Sequence, residues 1–170
     1  MRTIKLTIQY DGTEYSGWQA QKNGASIQDA IEKAIKQVTC EELRIIGSGR
    51  TDAGVHAMGQ VAHFKTKSKI PTKNLKLALN IYLPDDIVIA KVEEVKAGFH
   101  AQYEAKSKVY RYIVVNNIHI DPFVRRYASI YPFNLDMGLM KKTAAVLIGR
   151  HDFKAFRATD KSCKDEPLLS

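Results

Sequence analysis

The chain has 170 residues, enough for one domain or two small ones, and its 45% hydrophobic and 26% charged residues suit a packed core under a soluble surface. A net charge of +8 and a pI of about 9.4 favour a polyanionic partner, nucleic acid ahead of an acidic membrane surface. Two cysteines, Cys40 and Cys163, exclude a disulfide framework and a metal cluster and fit a reducing compartment.

The opening "MRTIKLTIQYDGTEY" alternates polar and apolar residues and lacks the continuous apolar stretch of a secretion signal. No segment approaches the roughly 18 apolar residues of a membrane span, so the reading is a soluble, cytoplasmic protein with no membrane association. Residues 3–10 place Ile4, Leu6, Ile8 and Tyr10 on one face, which predicts a strand. "DGTEYSGWQAQKNGA" follows as a loop around a lone Trp18. Residues 26–38 carry Ile27, Ala30, Ile31, Ala34, Ile35 and Val38 on one helical stripe, with Ser26 and Asp29 in capping-box spacing.

"LRIIGS" predicts a short strand and "QVAHFKT" another, with a glycine-rich loop between them. Thr72 is positioned to cap a helix running to about residue 81, with Leu75, Ala78 and Leu79 facing inward. "DIVIAKVEEV" predicts the fourth strand. The order β-α-β-β-α-β matches a ferredoxin-like, α+β antiparallel sheet with helices on one face. RNA-recognition modules share that arrangement, but their base-stacking "RGFGFV" type of strand is missing, and fold alone does not assign function.

After His100 a new unit begins. "KVYRYIVVN", residues 108–116, predicts a strong strand with Tyr110 and Tyr112 on one face and Arg111 on the other. Residues 134–148 predict a helix capped by Asn134 and stopped by Gly149. The reading divides the chain into 1–104, a complete first domain carrying the loop between the second and third strands, and 105–170, the beginning of a second similar domain.

That loop, within "IGSGRTDAGVHAMGQVAHF", is richer than a turn requires. Gly47 and Gly49 permit a tight exit from the strand. Arg50 offers a fixed cation with a fork of donors for phosphate or carboxylate. Asp52, followed by the small Ala53 and Gly54, leaves room for a ligand, and an open carboxylate can serve as a covalent nucleophile. The plainer reading is an aspartate that caps the turn at "DAG". The residues alone leave both open.

"GRTDAGVHAMGQVAHF" closely resembles the catalytic motif of the TruA-type tRNA pseudouridine synthases. "IQYDGTEYSGWQAQ", "SIQDAIEKAI", "NIYLPDDI", "FHAQYEAKSKVYRYIV" and "GRHDFKAFRA" resemble further segments of that family, in order, across nearly all of residues 3–158. The resemblance implies an isomerase that converts uridines of the tRNA anticodon stem-loop, positions 38–40, to pseudouridine. It implies no cofactor, no metal and a homodimer. Asp52 matches the family's catalytic aspartate, and Arg50 the arginine before it, which organises the aspartate and fills the space of the extruded base. Tyr110 matches the active-site tyrosine that packs on the target base.

A flipped uridine loses a few kcal/mol of stacking. A tyrosine face restores roughly 1–3 kcal/mol of it. Read without the resemblance, Tyr110 is an ordinary strand aromatic. His56 and His63 read as satisfied structural histidines, and His100 lies in a matched segment with no assigned role. Basic residues scattered from Arg2 through Lys22 and Lys108 to Arg157 include the expected phosphate contacts.

The match decays after "RATDKSCKDEP", which implies a chain lacking the family's C-terminal part. The expectation is a folded first half, association through the region from Tyr110 onward, and weak or no activity alone. The alternative is a non-catalytic RNA-binding module of the same fold, which has no need of Asp52 in its "GRTDAG" setting. A metabolic hydrolase using the carboxylate is weaker, because metal and nucleotide motifs are missing.

Overall fold

In the computed structural model, residues 1–21 and 24–156 are described; Lys22, Arg157 and Cys163 lie outside them. Strand β1 (Arg2–Tyr10) is followed by helix α1 (Ile27–Thr39), strands β2 (Ile46–Gly47) and β3 (Ala57–Thr66), helix α2 (Thr72–Tyr82) and strand β4 (Ile87–Val95). This is the β-α-β-β-α-β order expected from the sequence. The four strands form one sheet in the order β2-β3-β1-β4, antiparallel throughout.

The central position of β1 follows from its pattern. Ile4, Leu6, Ile8 and Tyr10 alternate onto one buried face, and both of its edges find a ladder. Ala62 and Phe64 of β3 and Ile87 and Ile89 of β4 join the same core. Ile27, Ile31, Ala34 and Ile35 of α1 and Leu75 and Leu79 of α2 complete it, so both helices lie against that face. Burying each of these aliphatic side chains contributes roughly 1.5–3 kcal/mol before chain entropy is set against it.

The start of α1 is the predicted capping box. The Asp29 amide donates to Ser26 Oγ at 3.1 Å, and Ser26 Oγ–H donates to the Asp29 carboxylate at 2.8 Å. Its end at Cys40 adopts the left-handed conformation, φ 57°. In α2 the cap differs from expectation. Pro71 holds the cap position, Thr72 is the first helical residue, and no side chain caps it. Proline's fixed φ makes a helix start possible without a capping hydroxyl. Asn80 instead ties α2 to β4, accepting from the Ile89 amide at 2.8 Å and donating to its carbonyl at 3.1 Å.

The other face of the sheet is polar. Lys5 pairs with Glu93 at 2.8 Å, and with Lys91 it holds the Glu93 carboxyl below its ordinary value. On the core side, where Thr66 follows Ala62 and Phe64 on one face of β3, Glu41 accepts from Thr66 Oγ1 at 2.6 Å and from the amides of Lys67 and Ser68, which lowers its pKa. Among the described residues, no helix is long and apolar enough to cross a membrane.

The chain divides into two compact units, one of Met1–Arg111 and one that begins at Tyr112. In the second, β5 (Val114–Val115) pairs in parallel with β6 (Ser129–Ile130), and α3 spans Met137–Ala145. The strand predicted over 108–116 is therefore present only at Val114–Val115. A strand extends as far as it finds partners, and among the described residues only Ser129–Ile130 pairs with it. The helix predicted over 134–148 is shorter, and Asp136, not Asn134, caps it by accepting from the Leu139 amide at 2.9 Å. No described residue of this unit is buried.

Candidate active site

The loop between β2 and β3 is held at its stem and along its far side. At the stem, the Ser48 amide donates to the Val61 carbonyl at 2.7 Å. Ser48 Oγ–H reaches Gln60 Oε1 at 2.9 Å, and Gln60 Nε2 returns to the Gly49 carbonyl at 2.7 Å. Gly47 is needed here, because a Cβ on it would lie 2.8 Å from the Trp18 indole.

The far side rests on the segment from Tyr10 to Trp18. Trp18 is 3% exposed and lies 6.2 Å from the Tyr10 ring, centroid to centroid. Its amide donates to the Thr51 carbonyl at 3.0 Å, and the Tyr10 hydroxyl meets Thr51 Oγ1 at 2.9 Å. Burial raises the Tyr10 pKa, offset in part by that hydrogen bond. The Gly54 amide donates to the Tyr15 carbonyl at 3.2 Å. Tyr15 is fixed in turn by a 2.6 Å hydrogen bond to Asp86, and burial followed by that carboxylate raises its pKa far above the ordinary value. His56 Nδ1 lies 3.1 Å from both the Gly12 amide and the Asp11 carboxylate.

Within this cradle, residues 52–55 make a tight turn. The Val55 amide donates to the Asp52 carbonyl at 3.2 Å, and Gly54 supplies the positive φ of 75°. The turn is thus closed by backbone and glycine. Among the described residues, no hydrogen bond or ion pair engages the Asp52 side chain, which is exposed. The turn-capping reading of that carboxylate finds no hydrogen bond to support it.

Arg50 is also exposed and, among the described residues, makes no ion pair with Asp52. It lines a cleft of about 720 Å³ with Trp18, Gln28, Arg44, Gln102 and Lys108. The cleft lining carries three cations and no carboxylate among the described residues, a field suited to a polyanion. Lys108 reaches the loop itself, its ammonium 2.8 Å from where a Cβ on Gly49 would stand. Tyr110, 77% exposed, follows Lys108 in the chain but is not among the cleft's lining residues.

The structure therefore brings Arg50 to a basic cleft and displays Asp52 on the adjoining turn. Tyr10, Tyr15, Trp18 and Lys108 were not singled out by sequence reasoning as parts of this region. The signal for Trp18 was its isolation in a loop. Tyr15 read as part of the same loop and the others as strand or surface residues, and only the fold shows that they meet residues 49–54.

A family model described as tRNA pseudouridine synthase matches residues 6–104. "tRNA pseudouridine synthase A" of Thermoanaerobacter sp. (strain X514) is 49% identical over 162 residues, covering 95% of this chain and 66% of that protein. The protein of the same name from Caldicellulosiruptor bescii is 49% identical over 164 residues, 96% of this chain and 67% of its own. "tRNA pseudouridine synthase A 2" of Clostridium perfringens is 52% identical over 157 residues, covering 92% and 64%. The chain spans about two thirds of the length of these curated relatives.

Proposed function

The chain belongs to the tRNA pseudouridine synthase family, and from that membership we propose that it isomerises uridine to pseudouridine in tRNA, with Asp52 as nucleophile. The observation that carries this reading is the placement of Asp52. Its carbonyl closes the turn on Val55 and its neighbours Thr51 and Gly54 are held by Trp18 and Tyr15, while its carboxylate is exposed and has no structural partner among the described residues. A group held rigidly and left unused by the fold is available for chemistry.

The reaction balances within one nucleotide. The bond from N1 to the ribose C1′ breaks, a bond from C5 to C1′ forms, C5 loses its proton and N1 gains one. No electrons are exchanged with an outside acceptor, so the balance closes without a redox cofactor. Asp52 supplies the carboxylate that bonds to the nucleotide while the base is detached and rotates, and that bond breaks again as the product forms, which returns the free carboxylate. Arg50, which makes no ion pair with Asp52 among the described residues, fills the space the flipped base vacates and orders Asp52 only once the RNA is bound. Tyr110 packs on the target base. The basic cleft bearing Arg44, Arg50 and Lys108 receives the phosphates beside it.

The substrate uridines are those of the anticodon stem-loop, positions 38–40. Residues 1–104 form a ferredoxin-like domain, a reading supported by the strand order β2-β3-β1-β4 and by a helix after each of the two central strands, β1 and β3. Residues 105–170 begin a second domain of similar kind, and the active form is a cytoplasmic homodimer.

Because C5–H is lost, tRNA carrying tritium at C5 of uridine releases it on conversion. Release by this chain, or by a chimera continued to the length of the Thermoanaerobacter relative, is the expected result. Tight binding of tRNA by both with no release from either would point to a non-catalytic RNA-binding module.

Tyr110→Phe is expected to keep turnover within a few-fold of the parent. Tyr110→Ala should lose roughly 5- to 100-fold, the stacking of about one base. The ring face supplies the packing, and the hydroxyl is a separable extra. Equal, severe losses in both variants, measured by the same tritium release, would assign Tyr110 to proton transfer instead.

A further inference from the structure

On the polar face of the sheet, His63 of β3 is 4% exposed. Residues 97–104 cover it. The Ala101 amide donates to His63 Nδ1 at 3.2 Å, and Ala101 is itself 2% exposed. The Phe99 ring meets the imidazole edge-on at 5.7 Å, and the His100 ring lies 5.0 Å away. His100 stacks on Tyr103 at 4.2 Å. This is the only protein contact through which an imidazole acceptor ties the covering segment to the sheet among the described residues.

The segment matters because of where it leads. Past Ala101, residues Gln102, Ala105 and Lys108 line the basic cleft opposite Gly47–Arg50, and Tyr110 comes next. His63 also stands directly across the β2–β3 ladder from Ile46, which opens the Arg50–Asp52 loop. One ring thus sits between the strand that delivers Asp52 and the strap that delivers Tyr110.

We propose that His63 is a positioning residue, anchoring the strap of residues 97–108 through Nδ1 and thereby setting where Tyr110 stands relative to the Asp52 loop. The consequence for turnover rests on the functional reading above; the anchor itself rests on geometry alone.

The anchor works only with Nδ1 unprotonated. Burial first, then His100, holds the ring below the ordinary imidazole pKa, and Lys65 acts the same way; the Ile46 backbone opposes them. The charged groups around it are Lys5 of β1, paired with Glu93 of β4 and 6.0 Å from the Phe99 centroid, and Lys65 of β3. Arg44, ahead of β2, lines a cavity together with His63 and His100, and Glu104 accepts from the His100 amide within the strap. In the unfolded chain the ring titrates near 6.5. A depressed folded value means the anchor is fully present above that pH and is lost as pH falls through the interval below it.

The test is amide exchange at Ala101 in this chain, read as a protection factor, with turnover and tRNA affinity measured alongside. His63→Leu should lower Ala101 protection about tenfold and remove the pH dependence that the parent shows below about 6.5. His63→Asn, whose Oδ1 stands where Nδ1 stood, should restore much of the protection. Turnover should fall about tenfold in the leucine variant while tRNA affinity holds. Unchanged Ala101 protection in His63→Leu, or protection that fails to return in a folded His63→Asn, overturns the anchor. A parent chain and chimera that never convert uridine defeat the functional reading instead, and leave the exchange result to decide the anchor.

Discussion

Replacing Asp52 by asparagine is expected to remove turnover, by about a thousandfold or more, while tRNA affinity changes no more than a few-fold. Asparagine keeps the size and shape of the side chain and loses only its ability to add as an anion. The turn does not depend on that group. It is closed by the Asp52 carbonyl, the Val55 amide and the positive φ of Gly54, so folding stability should move by less than about 0.5 kcal/mol. Ground-state binding should persist because the basic cleft, with Arg44, Arg50 and Lys108, is untouched. Single-turnover conversion beside a filter-binding titration separates the two quantities. Substantial conversion by the asparagine variant would sink the nucleophile assignment.

Gly17→Ala should injure both fold and activity. Gly17 has φ +102°, and a Cβ there would lie 2.5 Å from the Thr51 carbonyl oxygen and 3.2 Å from the Asp52 carbonyl carbon. Neither neighbour is a flexible side-chain tip; both are backbone of the loop itself. The same short stretch holds the Trp18 amide on Thr51 and, through the Gly17 and Trp18 carbonyls, the first amides of α1. A displaced Gly17 therefore moves the Asp52 turn and loosens the helix start together. The expected loss is about 1–3 kcal/mol of stability, read by urea unfolding, with turnover at least about tenfold lower. Gly59→Ala is the control, since a Cβ there meets open space and its φ is not positive. If both variants melt and turn over alike, the cradle is not what positions Asp52.

Much of the first unit was readable from side-chain periodicity, because local rules and tertiary needs agree there. Ile4, Leu6, Ile8 and Tyr10 alternate onto the face the core requires, and Ser26 caps α1 through a bond that spans only three residues. Where a partner from elsewhere decides, reading failed. Thr72 has a capping side chain, yet Pro71 takes the cap position. Residues 108–116 have every local mark of a strand, yet without a long neighbour only Val114–Val115 pair. The candidate site shows the same division. Arg50 and Asp52 were visible as a motif. Their supports were not, because the Tyr10 hydroxyl and Trp18 amide reach Thr51 across a gap in sequence that no pattern marks. His63 was read as a satisfied structural histidine, and it is satisfied. That its partner is Ala101, on the way to Tyr110, is visible only in the fold.

The proposed role of Asp52 at a uridine of the tRNA anticodon arm has a direct test. The most direct measurement is a nucleotide-resolved map of pseudouridine in an unmodified tRNA transcript after a single turnover. It would be run with this chain and with the chimera continued to the relatives' length, each with its Asp52→Asn counterpart. The expected result is pseudouridine at positions 38–40 wherever uridine stands there, and none with the asparagine variants. Pseudouridine confined to another arm, or at 38–40 with aspartate and asparagine alike, would contradict it.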